Sequence, residues 1–465
     1  MPKIAPLSGF PEWLPAGRLV EQAVLDILRR TFELHGFVGI QTRAVEPLTQ
    51  LLRKGDTSKE VYVLSRLQEQ GEAPADAGAP SRRSSDKQLG LHFDLTVPLA
   101  RYVLENAGQL PFPFKRYQIQ QVWRGERPQD GRFREFTQAD IDVIGDGSLP
   151  FHFEVEAPLV MAAAFEELRG LGVPPVRISV NNRKVAEGFY RGLGLDDVEG
   201  VLRNLDKLDK IGAEQVAAAL VTECGATDEQ AAACLALAAI NGDDLTVIDR
   251  VRHLAAANHI PGAGLLEEGL AELATLLQEA VRRAPGVIVA DLKIARGLDY
   301  YTGTVYETTL LGHESLGSIC SGGRYDALAT DGRRTFPGVG LSIGVSRLVS
   351  RLLSAELVRP TREVPTCVLV AVTSEETRGA STEVAAALRA RGIPTDVAPQ
   401  AAKFGKQIQF AARRGIPFVW FPGDDGPASP DQVKDIRSGV QVEADPASWT
   451  PGAEDLLPTV APAVP

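Results

Sequence analysis

Apolar positions near the amino terminus recur at intervals of three and four. Leu19, Val20, Ala23, Val24, Ile27, Leu28 and Phe32, with Thr31 among them, make one stripe, and that spacing predicts an amphipathic helix. Gly36 supplies its stop, and Phe37-Val38-Gly39-Ile40 reads as a short strand behind it. From Lys115 to Gly145 the pattern shifts to two strands around a polar turn. Residues 185 to about 285 are Ala- and Leu-rich with helical spacing, which predicts an inserted helical module. Strand signals return at Val287–Leu310 and Gly340–Val345. After Arg359-Pro360 a new series begins: Val368-Leu369-Val370-Ala371-Val372, an Ala-rich helix around Thr382–Arg391, then Phe418-Val419-Trp420-Phe421. That is the βαβ order of a separate small domain. Residues 71–87, rich in Ala, Gly, Pro and Ser, predict a mobile surface loop, and the Pro- and Ala-rich stretch beyond Ala444 a frayed tail. The expected layout is 1–184 and 286–358 as two parts of one domain, 185–285 inserted, 365–445 as a carboxy-terminal domain and 446–465 as a flexible tail.

Composition narrows the class. The chain has 465 residues, enough for about three domains. Apolar residues are 44% and charged residues 23%, the balance of an ordinary folded protein. With 49 Lys and Arg against 60 Asp and Glu, the net charge of −11 excludes a polybasic nucleic-acid binder, although a local basic face can act within an acidic whole. No run approaches 18 apolar residues, and the start, Met1-Pro2-Lys3-Ile4-Ala5-Pro6, lacks a signal-peptide layout. The four cysteines are far apart, with neither CxxC spacing nor paired density. These features predict reduced thiols, a cytoplasmic protein without membrane attachment and no metal held by the protein framework.

The densest chemistry lies in Val122-Trp123-Arg124-Gly125-Glu126-Arg127-Pro128-Gln129-Asp130-Gly131-Arg132-Phe133-Arg134-Glu135-Phe136, two β patterns around an arginine-rich turn. Strand side chains alternate, so Phe136, Gln138, Asp140 and Asp142 share one face, and Thr137, Ala139, Ile141 and Val143 the other, which is the packing face. Before the turn, Gln118, Gln120, Arg124 and Glu126 share a parity. A polar sheet face with arginines at its loop suits a triphosphate and a cationic ligand; a solvated antiparallel face is the plain alternative. Ile294-Ala295-Arg296-Gly297-Leu298-Asp299-Tyr300-Tyr301 offers a planar charge beside hydroxyls and stacking rings, or an ordinary turn. In Ser321-Gly322-Gly323-Arg324-Tyr325-Asp326 the glycines would let backbone approach a ligand, or form a tight turn. Gly338–Arg347 reads as a strand entering a helix, with Arg347 near the positive helix end. In Leu91-His92-Phe93-Asp94-Leu95-Thr96-Val97-Pro98, Asp94 and Thr96 share a strand face suited to an ammonium group, unless Asp94 caps a helix before Pro98.

Together these segments resemble the class II aminoacyl-tRNA synthetases, and within them the histidyl-tRNA synthetase family. The arginine-bearing hairpin resembles that class's second motif, Gly338–Arg347 its third, and Leu19–Glu46 its first. The Arg296–Tyr301 and Ser321–Asp326 segments match the histidine-specific signatures, and Asp94-Leu95-Thr96-Val97-Pro98 has the form of the eukaryotic and archaeal branch. The chain departs from the pattern at Arg43, where a proline usually follows the strand's threonine, at Ser346, where many bacterial relatives carry an acid, and in the long 71–87 loop.

The resemblance implies an α+β fold: a six-stranded antiparallel core with a helical insertion and a carboxy-terminal α/β anticodon-binding domain. It implies ATP-dependent activation of L-histidine, with Mg2+, and transfer to tRNA(His) by a homodimer. By the same resemblance Asp94, Leu95, Thr96, Gln138, Asp142, Tyr300 and Tyr301 make the histidine pocket; Arg124 and Arg296 bridge carboxylate and α-phosphate as the catalytic cations. Arg124, Glu126, Arg132, Phe136 and Arg347 hold ATP, with Glu126 nearest the magnesium. The rival is the non-catalytic paralogue that regulates ATP phosphoribosyltransferase; it lacks the anticodon domain and usually the catalytic arginine, whereas Arg296 stands here and the chain runs well past Arg347.

Overall fold

The computed structural model describes residues 5–52, 60–65, 88–295, 300–423 and 430–463. Two of the segments singled out above, the loop 71–87 and Arg296 with its neighbours to Asp299, lie outside the described residues. The chain divides into two compact units, one containing Val24–Arg169 and Val173–Arg351, the other Leu352–Pro465 with Glu12–Ala23.

The first unit is built on a nine-stranded sheet among the described residues. Its spatial order is β1 (Val38–Gly39), β5 (Phe114–Trp123), β6 (Glu135–Ile144), β12 (Thr335–Gly344), β11 (Ser318–Thr330), β10 (Thr304–Leu310), β7 (Val176–Asn182), β9 (Ile288–Asp291) and β8 (Asn241–Gly242). The six strands from β5 to β7 are mutually antiparallel, as the resemblance implies. The edges add β1, parallel to β5, and β9, parallel to β7. A small sheet of β2 (Val45–Pro47), β4 (Leu89–Leu91) and β3 (Val63–Leu64) belongs to the same unit.

The helix Pro15–Leu34 buries Val20, Val24, Leu28, Thr31 and Phe32, the stripe the spacing predicts. The helix-rich stretch runs from Arg183 to Arg283 and is one long crossover between the parallel neighbours β7 and β9. Its first and last helices, Arg183–Gly192 and Leu265–Arg283, cross closely: a Cβ on Gly188 would lie 2.5 Å from Leu266 N, and one on Gly269 2.6 Å from Val185 N.

In the second unit β15 (Thr395–Val397), β14 (Val368–Val370) and β16 (Phe418–Phe421) run parallel, joined by helices Arg378–Ala390 and Phe404–Arg413. The antiparallel β17 (Gln432–Asp435) and β18 (Gln441–Glu443) complete this α/β sheet. The expectation of a frayed tail fails. β19 (Val460–Pro462) pairs with β13 (Val358–Pro360), and Trp449 packs edge-on against Phe418 and Trp420. Asp455 takes both Arg437 Nη atoms at 2.6 and 2.8 Å. A strand and an ion pair whose partners lie far back in the chain leave no local periodicity, and so the tail reads as disordered from its composition alone.

Candidate active site

The β5–β6 hairpin sets the site. Its register places Val122 opposite Phe136, Gln120 opposite Gln138, Gln118 opposite Asp140 and Arg116 opposite Asp142. The polar face so assembled is not solvated: Gln118, Asp140 and Asp142 are all buried. In the turn, Gln129 and Arg132 close a reciprocal backbone pair, and Gly131 takes φ +65° with Leu316 and Arg347 packed where a Cβ would go. Arg347, on the helix Val345–Ser354, donates Nε to Gly131 O at 2.9 Å and Nη1 to Ser318 O, so it fixes the turn while facing the cleft. The departure at Ser346 also has a structural role, since its hydroxyl accepts the Thr137 N–H at 2.9 Å.

A cleft of about 740 Å³ lies over this face. Six of the expected residues line it: Arg124, Glu126, Arg132, Phe136, Gln138 and Arg347. Arg124 donates Nε to Phe93 O at 3.0 Å and lies 5.2 Å from the Phe136 ring centroid, which orients a guanidinium along an aromatic wall. Glu126 and Arg132 sit 4.0 Å apart.

Of the other expected residues that the structure describes, none lines the cleft: Asp142 is buried, as are the two residues before the helix at Thr96, while Thr96, Tyr300 and Tyr301 are half-buried. Asp142 is clamped by Arg116, whose Nη2 lies 2.6 Å from Oδ2, and by Tyr325, whose hydroxyl donates to Oδ1 at 2.7 Å. Arg116 has no exposed side chain, so its charge is spent inside the protein and not at the surface. Asp94 and Leu95 are buried, and Thr96 opens the helix Thr96–Asn106. Asp94 Oδ1 accepts the Val97 N–H at 3.1 Å, so the helix-entry alternative holds and the shared strand face does not. The proline at position 98 suits the first turn of that helix, which is why the segment leaves the β pattern. The Tyr300 and Tyr301 rings lie with centroids 4.2 Å apart and tilted at 49°, beside a core containing Leu99, Phe114 and Tyr325.

The glycines of Ser321–Asp326 lie inside β11, not in a turn, and the groups they admit are the protein's own. A Cβ on Gly323 would meet the Tyr301 ring at 2.9 Å, and one on Gly322 the Gly340 carbonyl at 2.0 Å. Opposite, Gly340 makes room for Asp142 and Gly338 for Tyr325. Arg324 pairs with Glu154 at 2.8 Å and with Asp326 at 3.1 Å. Glu154 also accepts from Thr304 N and Oγ1, which anchors the chain just past the paired tyrosines.

Electrostatics single out Asp140. Burial, reinforced by the like charges of Asp142 and Asp94, pushes its carboxyl up to about 7, while Arg116 and a Ser342 hydrogen bond oppose the rise. Gln118 Oε1, Gln138 Oε1 and Asp140 Oδ1 are buried and have no donor among the described residues. Among the described residues no three ligating side chains gather into a metal site. The Glu126 carboxylate in the cleft is an oxygen ligand of the kind a hard divalent cation takes. Arg116 and Glu154 were not picked out by sequence reasoning, and Tyr325 and Ser342 lay in singled-out segments without a role of their own. Arg116 shares the parity of Gln118 and Gln120, and Ser342 lies in the alternating small-residue run Gly338, Gly340, Ser342, Gly344; both were readable signals.

A sequence model described as histidyl-tRNA synthetase matches residues 9–348, and one described as an anticodon binding domain matches 366–447. The chain belongs to the histidyl-tRNA synthetase family. Among that family's members, the histidine–tRNA ligase of Micrococcus luteus is 63% identical over 99% of both chains, and that of Bifidobacterium animalis subsp. lactis 59% over 97% of both. A histidyl-tRNA synthetase crystal structure from Nostoc, 36% identical, superposes with a TM-score of 0.80 over 95% of this chain and 97% of that one. An ATP phosphoribosyltransferase regulatory subunit/histidyl-tRNA synthetase from Bacillus halodurans, 19% identical with a TM-score of 0.67 over 88% and 94%, shares the family's fold.

Proposed function

We propose that this chain is a histidine–tRNA ligase that activates L-histidine with ATP and transfers it to the 3′ end of tRNA(His) in protein biosynthesis. The carrying observation is the convergence of Arg124, Glu126, Phe136 and Arg347 with Gln138 in one cleft, directly over the buried Asp142 layer. In the first step a histidine carboxylate oxygen attacks the α-phosphorus, the bond to the β-phosphate breaks, and pyrophosphate leaves. In the second the terminal tRNA ribose attacks the acyl carbon and AMP departs. Both steps call for positioning and charge neutralisation more than a covalent catalyst.

Arg124, already oriented by Phe93 O and the Phe136 ring, meets the carboxylate and α-phosphate together with Arg296. Arg132 and Arg347 draw in the triphosphate, and the Phe136 ring offers a stacking wall for the base. Glu126 would hold a magnesium ion that comes with ATP, and that ion would supply neutralisation of phosphate charge. Gln138, with Asp94 and Thr96, takes the substrate ammonium; Asp142 and Tyr301 recognise the imidazole, with Leu95 and Tyr300 closing the pocket. No helix among the described residues is long and apolar enough to cross a membrane, and the reading places the enzyme in the cytoplasm. It further assigns residues 1–184 and 286–358 to the catalytic domain, 185–285 to the insertion and 365–445 to anticodon binding. A homodimer is part of the same reading, supported by Val63, Leu64 and Leu89, which the small sheet leaves exposed. The test is charging: purified protein with ATP, magnesium and labelled histidine should esterify tRNA(His) and leave other tRNAs uncharged. Failure to form histidyl-tRNA under those conditions would remove the proposal.

A further inference from the structure

The cleft and the buried acidic layer meet at one hydroxyl. Ser342 lies opposite Asp140 in the β6–β12 register and stands in the cleft wall. Its hydroxyl hydrogen-bonds the Asp140 carboxylate, and Gln138 Nε2 donates to its oxygen at 2.9 Å. A serine hydroxyl has a single proton. Once that proton goes to Asp140, only the oxygen lone pairs remain for Gln138, and only the NH2 end of the amide can meet them. The carbonyl end, Gln138 Oε1, is thereby left over, buried and without a donor among the described residues.

The lateral neighbours supply none. Gln120, across the hairpin, turns its Nε2 to Thr42 O at 3.0 Å and away from Gln138 Oε1, and its own Oε1 accepts from Gln118 at 2.7 Å. On the other side Gln138 faces Gly344, which has no side chain. A buried acceptor held in this state is costly unless a ligand brings the proton.

We infer that Ser342 is a positioning residue: it relays the charge of Asp140 to lock the Gln138 amide with its carbonyl oxygen presented to the ammonium group of the amino-acid substrate. This rests on the proposed assignment of Gln138 to that ammonium. Asp140 is faced by Arg116 from β5, Asp142 on its own strand, Ser342 from β12, Cys320 and Tyr325 from β11, and Asp94. Its carboxyl, pushed up to about 7 chiefly by burial, is mostly ionised at pH 8, where the relay has the stated polarity.

The experiment is run at pH 8 on the full chain with Ser342→Ala, Ser342→Thr and Gln138→Met. Histidine-dependent ATP–pyrophosphate exchange gives KM and kcat, and 3-(imidazol-4-yl)propionate, which lacks the amino group, serves as competitive inhibitor. Ser342→Ala should raise the histidine KM about tenfold, the weight of one charge-assisted hydrogen bond, with kcat and the ATP KM changed by less than about twofold. Its inhibition by the amine-free analogue should be unaltered, and Ser342→Thr, which keeps the hydroxyl, should restore most of the histidine KM. Equal weakening of histidine and analogue by Ser342→Ala, or no change in either, overturns the inference. If Gln138→Met weakens histidine selectively while Ser342→Ala does nothing, the relay fails and the assignment of Gln138 survives. If Gln138→Met weakens both ligands alike, the assignment falls and the relay with it.

Discussion

Replacing Arg116 by methionine removes the cation from beneath two acids and keeps roughly the same volume. Arg116 and Asp142 are 0% and 4% exposed at the side chain and 2.6 Å apart, so neither is screened by water. Without the guanidinium the cheapest outcome is for both acids to bind protons. Asp140 starts near 7 and is already half-way there at neutral pH. Asp142 must then take up one proton that an ordinary carboxyl would not hold. Relative to a reference pKa of about 3.9, that costs roughly 5 kcal/mol at pH 7.5 and roughly 1.5 kcal/mol at pH 5. The first figure falls at the top of the range of about 3–5 kcal/mol for breaking a buried pair. The sign follows from proton uptake. The variant's native state binds more protons than its unfolded chain between about pH 4 and 7.5, so its stability falls as pH rises through that window. Thermal unfolding of Arg116→Met and the parent chain, followed by circular dichroism at both pH values, measures this directly. The midpoint should drop by on the order of 10 °C at pH 7.5 and by about a third of that at pH 5. An equal drop at both pH values, or one under about 2 °C at pH 7.5, refutes the buried-charge argument.

Arg296→Ala should lower histidine-dependent pyrophosphate exchange by about 10²–10³, the usual loss for one preorganised charge donor, with the thermal midpoint nearly unchanged; near-normal exchange would exclude Arg296 as the main cation. Asp142→Asn should raise the histidine requirement roughly ten- to hundredfold and the ATP requirement much less, and a parallel rise in both would make Asp142 part of the general scaffold. Lys403→Glu combined with Lys406→Glu, at the exposed start of the helix Phe404–Arg413, should weaken tRNA binding, flatten its salt dependence by about 1–2 in log–log slope, and leave adenylation intact. Unchanged charging by that variant would place the tRNA contact elsewhere.

The elements that local pattern determines were readable in the sequence. The stripe from Val20 to Phe32 is a helix because each apolar position returns to one side of the cylinder. The alternation at 136–143 is a strand, and its parity correctly separates Gln138, Asp140 and Asp142 from Ala139, Ile141 and Val143. What parity cannot show is whether the polar side meets water. Here it does not, because Arg116, Tyr325 and Ser342 arrive from other strands, the last two about 200 residues later in the chain. The same blindness explains the tail, where β19 finds β13 and Asp455 finds Arg437 across long separations. It likewise hides the fate of Arg437, whose charge is spent on Asp435 and Asp455. Asp94 stayed open between two readings for a local reason: a capping aspartate two residues ahead of a helix and a strand residue look alike until the backbone is seen.

The central claim is that this cleft makes histidyl-adenylate. Amino-acid-dependent exchange of labelled pyrophosphate into ATP, run on the full chain with each of the twenty amino acids in turn, tests it without any contribution from tRNA. Exchange that is strong with L-histidine, dependent on magnesium and at background with the other nineteen is the predicted result. Histidine binding without exchange, or exchange driven by a different amino acid, would contradict the account.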